Sequence, residues 1–166
     1  MKLIGTVNCE KSDKGLTLLT IRNLTIPLRG IADEFAGQRV CVCGEPRWAA
    51  DIGSYFRVTG CWVTTDPDQN AVDVEGTIIN IYPERKNNRN RRSACILLQQ
   101  SRAPSSTVLV TALSSNVDDM QPDNLSIGMR IRIGGYISFH GKGLHILYMR
   151  TLNKEGNKNV GQVQKP

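Results

Sequence analysis

The segment KLIGTV, residues 2–7, recurs as DVEGTI at residues 73–78. Both segments place Gly-Thr-aliphatic inside a short run typical of a β-strand. A second pair of matching segments follows in the same order: GQRVCVCG at residues 37–44 aligns with GMRIRIGG at residues 128–135. We therefore interpret the chain as two copies of one structural unit.

Each copy contains three further extended stretches. They are GLTLLTIRN, LTIPLRG and SYFRVTGCWV in the first copy, and SACILLQQS, STVLVTA and GLHILYMRT in the second. Their Val, Ile, Leu and Thr content, with Gly, Asn, Asp and Pro between them, predicts five strands per copy. Only the segment between the third and fourth strands permits a helix, and in the second copy Pro122 limits that helix to a turn or two.

Five short strands, a connection between the third and fourth, and a glycine early in the first strand resemble the OB-fold, a small Greek-key barrel. The resemblance covers nearly all of residues 1–152, with TTDPDQNA joining the two copies. The sequence thus predicts an all-β protein of two tandem five-stranded OB-like Greek-key barrels, at residues 1–65 and 73–152. Residues 153–166 are predicted to form a flexible basic tail.

The positive charge lies in the second half of the chain. The net charge is +6, with a pI of about 9.2. Residues 1–72 carry eight cationic and eight acidic side chains, residues 73–152 carry ten and six, and residues 153–166 carry three and one. A neutral first barrel and a basic second barrel favour a polyanionic partner for the second.

The OB-fold resemblance implies binding of single-stranded nucleic acid across one sheet face and the loops after the first and fourth strands. In the second copy these loops are predicted at Arg85–Arg92 and Ser138–Lys142, and the fourth-strand loop of the first copy at Glu45–Trp48. Lys and Arg neutralise phosphates, while aromatic rings stack on bases without reading sequence. The residues expected to contact nucleic acid are Arg47, Trp48, Arg85, Lys86, Arg89, Arg91, Arg92, Arg130, Arg132, Tyr136, Phe139 and Lys142.

For some of these residues a purely structural role stays open. Strand alternation places Arg130 and Arg132 together on one sheet face. The basic, Asn-rich segment Arg85–Arg92 could bind a phosphate backbone, but such a segment between two strands is also typical of a solvated hairpin tip. About half of the strand aromatics should belong to the core. These aromatics are Tyr55, Phe56, Trp62, Tyr136 and Tyr148.

We predict no metal, no cofactor and no enzymatic activity. Cys41 and Cys43 share a strand face and could join Cys9 and Cys61 around zinc, but zinc sites usually use knuckles in turns. The sequence lacks the nucleotide-binding and hydrolase motifs, and it contains two histidines. Five cysteines, an odd number, suit a reducing cytoplasm. The sequence has no apolar run of about 18 residues, the length that a membrane span requires, so no span is predicted.

Two functions follow from the resemblance. The first is a single-stranded DNA-binding protein that coats unpaired strands in replication, recombination or DNA transfer, alone, as a homo-oligomer or with a protein of those pathways. Its basic tail differs from the acidic tip of bacterial single-strand binding proteins and favours a plasmid- or phage-type protein. The second is an OB-type adaptor that recruits a helicase, polymerase or nuclease. RNA binding stays open, because stacking and phosphate contacts do not require the 2′-hydroxyl.

Overall fold

The computed structural model describes residues 1–103, 106–140 and 143–155. Within these ranges, ten strands form two barrels of five. The first barrel contains β1 (Lys2–Lys11), β2 (Thr17–Ile21), β3 (Leu24–Arg29), β4 (Arg39–Ala49) and β5 (Gly53–Val63). The second contains β6 (Ala71–Lys86), β7 (Arg92–Gln99), β8 (Thr107–Leu113), β9 (Arg130–His140) and β10 (Gly143–Glu155).

Both barrels have the same Greek-key topology. The strands close in the order β1-β2-β3-β5-β4 in the first barrel and β6-β7-β8-β10-β9 in the second. The third and fifth strands of each barrel run parallel, and the remaining neighbours run antiparallel. The prediction of two tandem OB-like barrels is confirmed.

Helical structure in the described residues lies where the sequence allowed it, between the third and fourth strands of each copy. The first copy has a 3-10 turn at Asp33–Phe35, and the second has helix α1 (Asn116–Met120) and a 3-10 turn at Pro122–Asn124. Within the described part of the chain, no helix is long and apolar enough to cross a bilayer.

The repeated glycines are required by close approach of neighbouring strands. A Cβ atom on Gly5 would collide with the carbonyl oxygen of Thr20, and one on Gly44 would collide with that of Arg57. Their counterparts in the second barrel, Gly76 and Gly135, face carbonyl oxygens in the same way. Glycine is the residue that lets a strongly curved strand pack this closely.

Alternation along the strands separates a core from an outer face in each barrel. Phe56 is buried in the first barrel, and Tyr148 is buried in the second. Tyr55 is also buried, whereas Trp62 and Tyr136 are largely exposed. The expectation that about half of the strand aromatics belong to the core is therefore confirmed for this set.

The linker between the barrels is hydrogen-bonded to both of them. Ile4 and Gln69 exchange two backbone hydrogen bonds of 2.9 and 3.0 Å, and Ile137 N donates to Asn70 O at 3.1 Å. Contacts between the barrels are reciprocal, since β4 meets β8 and β9 meets β3. At the other end of the second barrel, Asn153 of β10 still pairs with Arg132 of β9, so β10 enters the segment predicted as tail. Residues 156–166 lie outside the described residues.

Candidate nucleic-acid interface

A cationic hairpin, residues 83–93, projects from the second barrel. It forms because β6 pairs with β9 only up to Thr77 and then continues with β7 as its neighbour. The last pairs of the hairpin are Arg85 with Ser93 and Lys86 with Arg92. The ends of the predicted loop are therefore strand, at residues 85, 86 and 92, and the turn itself is residues 87–91.

The turn is built by an asparagine. The Asn87 side-chain oxygen accepts hydrogen bonds from the backbone N–H groups of Arg89 at 3.0 Å and Arg91 at 2.9 Å. Asn87 N also donates to Arg91 O at 3.1 Å, and Asn90 adopts a left-handed conformation with φ of 56°. Asparagine tolerates that conformation better than most residues. The tip is thus a hydrogen-bonded turn that presents its cationic side chains outward.

Four cations of the hairpin are unpaired. Arg85, Lys86, Arg89 and Arg91 are all exposed, and none forms an ion pair with a carboxylate that the structure describes. Unpaired, exposed cations that lie close together create a positive potential that attracts a phosphate backbone. The structure brings these four predicted residues together.

Arg92 is different from the other cations of the hairpin. Its Nε and Nη2 donate to the two carboxylate oxygens of Glu84 at 2.7 and 2.9 Å, and its Nη1 donates to Asp118 at 2.7 Å. The hydrogen bond from Arg92 lowers the pKa of Glu84, and the hydrogen bonds to Glu84 and Asp118 raise the pKa of Arg92. The guanidinium is therefore engaged within the protein.

A groove runs along the outer face of β6, β7 and β8 beside the hairpin. Tyr82 lies opposite Cys95, and Arg85 lies opposite Ser93. The groove has a volume of about 280 Å³ and is lined by Tyr82, Pro83, Arg85, Ser93, Cys95 and Leu109. We call it the Tyr82 groove. It combines an aromatic ring, apolar side chains and an unpaired cation, and sequence reasoning had not included Tyr82 in the site.

The predicted arginine pair on β9 is exposed but neutralised. Arg130 and Arg132 point outward while Ile131 is buried, as alternation predicts. Arg130 pairs with Glu75 at 2.6 Å, and Arg132 pairs with Asp73 at 3.0 Å. Each cation is thus matched by a carboxylate on β6, which weakens its attraction for phosphate.

Tyr136 pairs with the end of β6 that is opposite to the hairpin. It is opposite Ala71, whereas Tyr82 lies eleven residues farther along β6, a contour of roughly 36 Å at about 3.3 Å per residue. Tyr136 is 43% exposed and lines a separate groove of about 600 Å³ at the junction of the two barrels. The structure therefore does not place Tyr136 at the cationic hairpin.

The predicted loop position of Phe139 is wrong. Phe139 belongs to β9, lies opposite Leu144, and packs half-buried against the core. Its inward direction follows from alternation with the buried Ile137. Lys142, the last residue predicted for this part of the site, lies outside the described residues.

We expect Phe139→Ala to act on stability. Removing this half-buried ring should lower the free energy of unfolding by about 1 kcal/mol, less than the loss for a fully buried phenylalanine. Below the melting transition, affinity for single strands should be unchanged. Thermal unfolding and an oligonucleotide titration measure the two quantities, and a large affinity loss without a change in melting temperature would contradict this assignment.

The predicted contacts of the first barrel also lie in a strand. Arg47 and Trp48 belong to β4, not to a loop, because β4 continues pairing with β5 up to Ala49. Arg47 is only 8% exposed, and its Nε donates to Glu45 at 3.1 Å. Trp48 is 53% exposed at the end of the strand. Of this predicted pair, Trp48 alone is accessible to a ligand.

Two cysteines of the first barrel, Cys41 and Cys61, are held as thiols. Burial raises the pKa of Cys41, and burial raises the pKa of Cys61 to about 11. The thiolate is the form that binds metals. In the described part of the chain, no three His, Cys, Asp or Glu side chains form a group that could hold a metal ion.

Solved structures of other proteins have the same fold. The crystal structure of the wild-type single-stranded DNA binding protein from Thermus aquaticus superposes with a TM-score of 0.65 at 16% identity, covering 99% of this chain and 97% of that one. A deletion mutant of the same protein gives a TM-score of 0.63 at 15% identity, covering 99% and 96%. No protein-family model matches the sequence, and no curated protein matches it. The chain therefore shares its fold, over nearly its whole length, with these DNA-binding proteins.

Proposed function

We propose that this protein binds single-stranded DNA through its second barrel. The observation that carries the proposal is the juxtaposition of four unpaired cations with the Tyr82 groove on one outer face. In this proposal, Arg85, Lys86, Arg89 and Arg91 neutralise phosphates, and an unpaired base enters the groove. The shared fold with single-stranded DNA binding proteins supports the same function.

The hairpin cations and the Tyr82 groove together favour single strands over duplex. Cations attract any polyanion, so charge alone does not distinguish the two forms. An aromatic groove does distinguish them, because a base can stack on a side chain only when it is free of its own helical stack. Tyr82 supplies the ring, and Leu109 supplies an apolar wall.

We further propose that the biological role is to coat or protect unpaired strands during replication, recombination or DNA transfer. Binding by phosphate contacts and stacking reads no sequence, which suits a protein that must cover any exposed strand. RNA of the same length is an alternative ligand, because neither interaction requires a deoxyribose.

The test is a set of anisotropy titrations with single-stranded DNA, single-stranded RNA and duplex DNA of matched length and label. We expect saturable binding of single-stranded DNA at least about tenfold tighter than that of duplex, since stacking adds roughly 1–3 kcal/mol per base. Equal affinity for single strands and duplex would show a general polyanion binder and would refute the proposal.

A second candidate is a protein-interaction adaptor, favoured by one observation in the first barrel. Trp62 and Val63 are adjacent on β5 and both are exposed, at 47% and 58%. Exposed large apolar side chains are more typical of a protein contact than of a phosphate-binding surface. If all three titrations show no saturable binding, the adaptor function becomes the better explanation.

A further inference from the structure

The cationic hairpin joins the barrel at an irregular point. Tyr82 pairs with Cys95 and Arg85 pairs with Ser93, so two residues of β6, Pro83 and Glu84, face a single residue of β7. Such a bulge bends a strand and interrupts its hydrogen-bonded ladder. Proline also lacks a backbone N–H and donates no bond there. The strand ladder by itself therefore holds the hairpin weakly at its base.

Arg92 spans this weak point. Its two hydrogen bonds to Glu84 cross from β7 to the bulge, and its third connects the hairpin to Asp118 in α1. Arg92 is also fixed through its backbone, since Ser114 N donates to Arg92 O at 2.9 Å. A bidentate arginine-carboxylate pair fixes direction as well as distance.

The helix that receives Arg92 is itself anchored. Val117 and Met120 of α1 are fully buried, and α1 contacts β7, β8 and β10. Asn116 Nδ2 adds a hydrogen bond of 2.9 Å to Tyr148 O in β10. The guanidinium therefore connects the bulge of the hairpin to a fixed part of the barrel.

We propose that Arg92 is a positioning residue that holds the cationic hairpin beside the Tyr82 groove and does not itself contact phosphate. The effect on binding rests on the proposed function, whereas the effect on the hairpin does not. Two carboxylates already engage three of the N–H donors of Arg92, and their negative charges repel a phosphate that approaches the guanidinium. Apparent affinity falls with the fraction of molecules whose hairpin is correctly placed.

The decisive variant is the double substitution Glu84→Gln and Asp118→Asn. If Arg92 positions the hairpin, this variant should bind single-stranded DNA about fivefold more weakly, because the hairpin loses its correct placement. If Arg92 binds phosphate, the same variant should bind more tightly, because two competing carboxylates are removed. The matched control is Asp73→Asn with Glu75→Gln, which changes the net charge equally at the far part of β6.

The variants Arg92→Ala and Arg92→Lys provide a second, independent test of the positioning role. Under the positioning role both should weaken binding about fivefold without changing the slope of log K against log salt, because lysine cannot bridge both carboxylates. A phosphate contact would instead lower the slope by about 0.7 in the alanine variant and leave it unchanged in the lysine variant. That pattern, or tighter binding by the carboxylate variant relative to its control, would overturn the proposal.

Amide hydrogen exchange of the free protein separates this inference from the proposed function. Arg92→Ala should accelerate exchange at residues 85–91 while leaving strands such as β2 unchanged. Unchanged exchange in the hairpin would overturn the positioning role whether or not DNA binds. Accelerated exchange in a protein that binds no single strands would support the positioning of the hairpin and refute the proposed function alone.

Discussion

Replacing Arg85, Lys86, Arg89 and Arg91 together by alanine should weaken single-stranded DNA binding on the order of several hundredfold at about 0.1 M monovalent salt. Each phosphate contact on a single strand releases about 0.7 counterions, so four contacts account for a slope of about 2.8 in log K against log salt. The slope should fall by that amount in the variant. Titrations at several salt concentrations measure both effects.

The control for this prediction removes the same charge elsewhere. Lys2, Lys14, Arg22 and Arg57 are exposed cations of the first barrel, and their joint replacement by alanine lowers the net charge equally. We expect this control to retain most of the affinity and nearly the whole salt slope. Equal losses in the two variants would show that net charge, and not the hairpin, governs binding.

The fold could be predicted from the sequence because its signals are local. Gly5 and Gly76 mark equivalent positions where a strand passes close to the next one, and Gly44 and Gly135 do the same on the fourth strand. Strand composition then indicated five strands per copy, and the resemblance of their order to the OB-fold implied the Greek-key topology. The strand ends were predicted less well, since β4 continues past the predicted loop Glu45–Trp48, and β9 continues to His140, into the predicted loop Ser138–Lys142.

The site could be predicted only in part, because ion pairing depends on register across strands. The sequence shows Arg130 and Arg132 with the correct alternation. It does not show that β6 places Glu75 and Asp73 within reach of them. Arg92 is a similar case, since its partner Asp118 comes from a helix 26 residues later. The four unpaired cations were predictable because the hairpin tip contains no acidic residue.

Tyr82 was missed for a specific reason. Gly76 and Ile78 face the core, so strict alternation would place Tyr82 in the core as well. A register shift between Ile78 and Asn80 reverses the alternation, which turns Ile81 inward and Tyr82 outward. A slip of one residue exchanges the two faces of a strand, and nothing in the sequence of β6 marks where it occurs.

Tyr82→Ala should reduce single-strand affinity by roughly 1–3 kcal/mol, the contribution of one aromatic ring that stacks on a base. Duplex affinity should remain nearly unchanged, because paired bases do not enter the groove. Tyr82→Phe should bind almost as well as the wild type, since the ring, and not the hydroxyl, provides the stacking surface. Anisotropy titrations with matched single-stranded and duplex oligonucleotides measure these differences.

Tyr136→Ala is the matched control, because Tyr136 is also an exposed tyrosine of the second barrel but lies at the other end of β6. Both alanine variants must first show an unchanged melting curve, since Tyr82 is half-buried. If the Tyr82 groove holds a base, only the Tyr82 variant loses affinity. If the loss appears with Tyr136→Ala instead, the DNA follows the groove between the barrels, and the cationic hairpin attracts the strand without providing the stacking site.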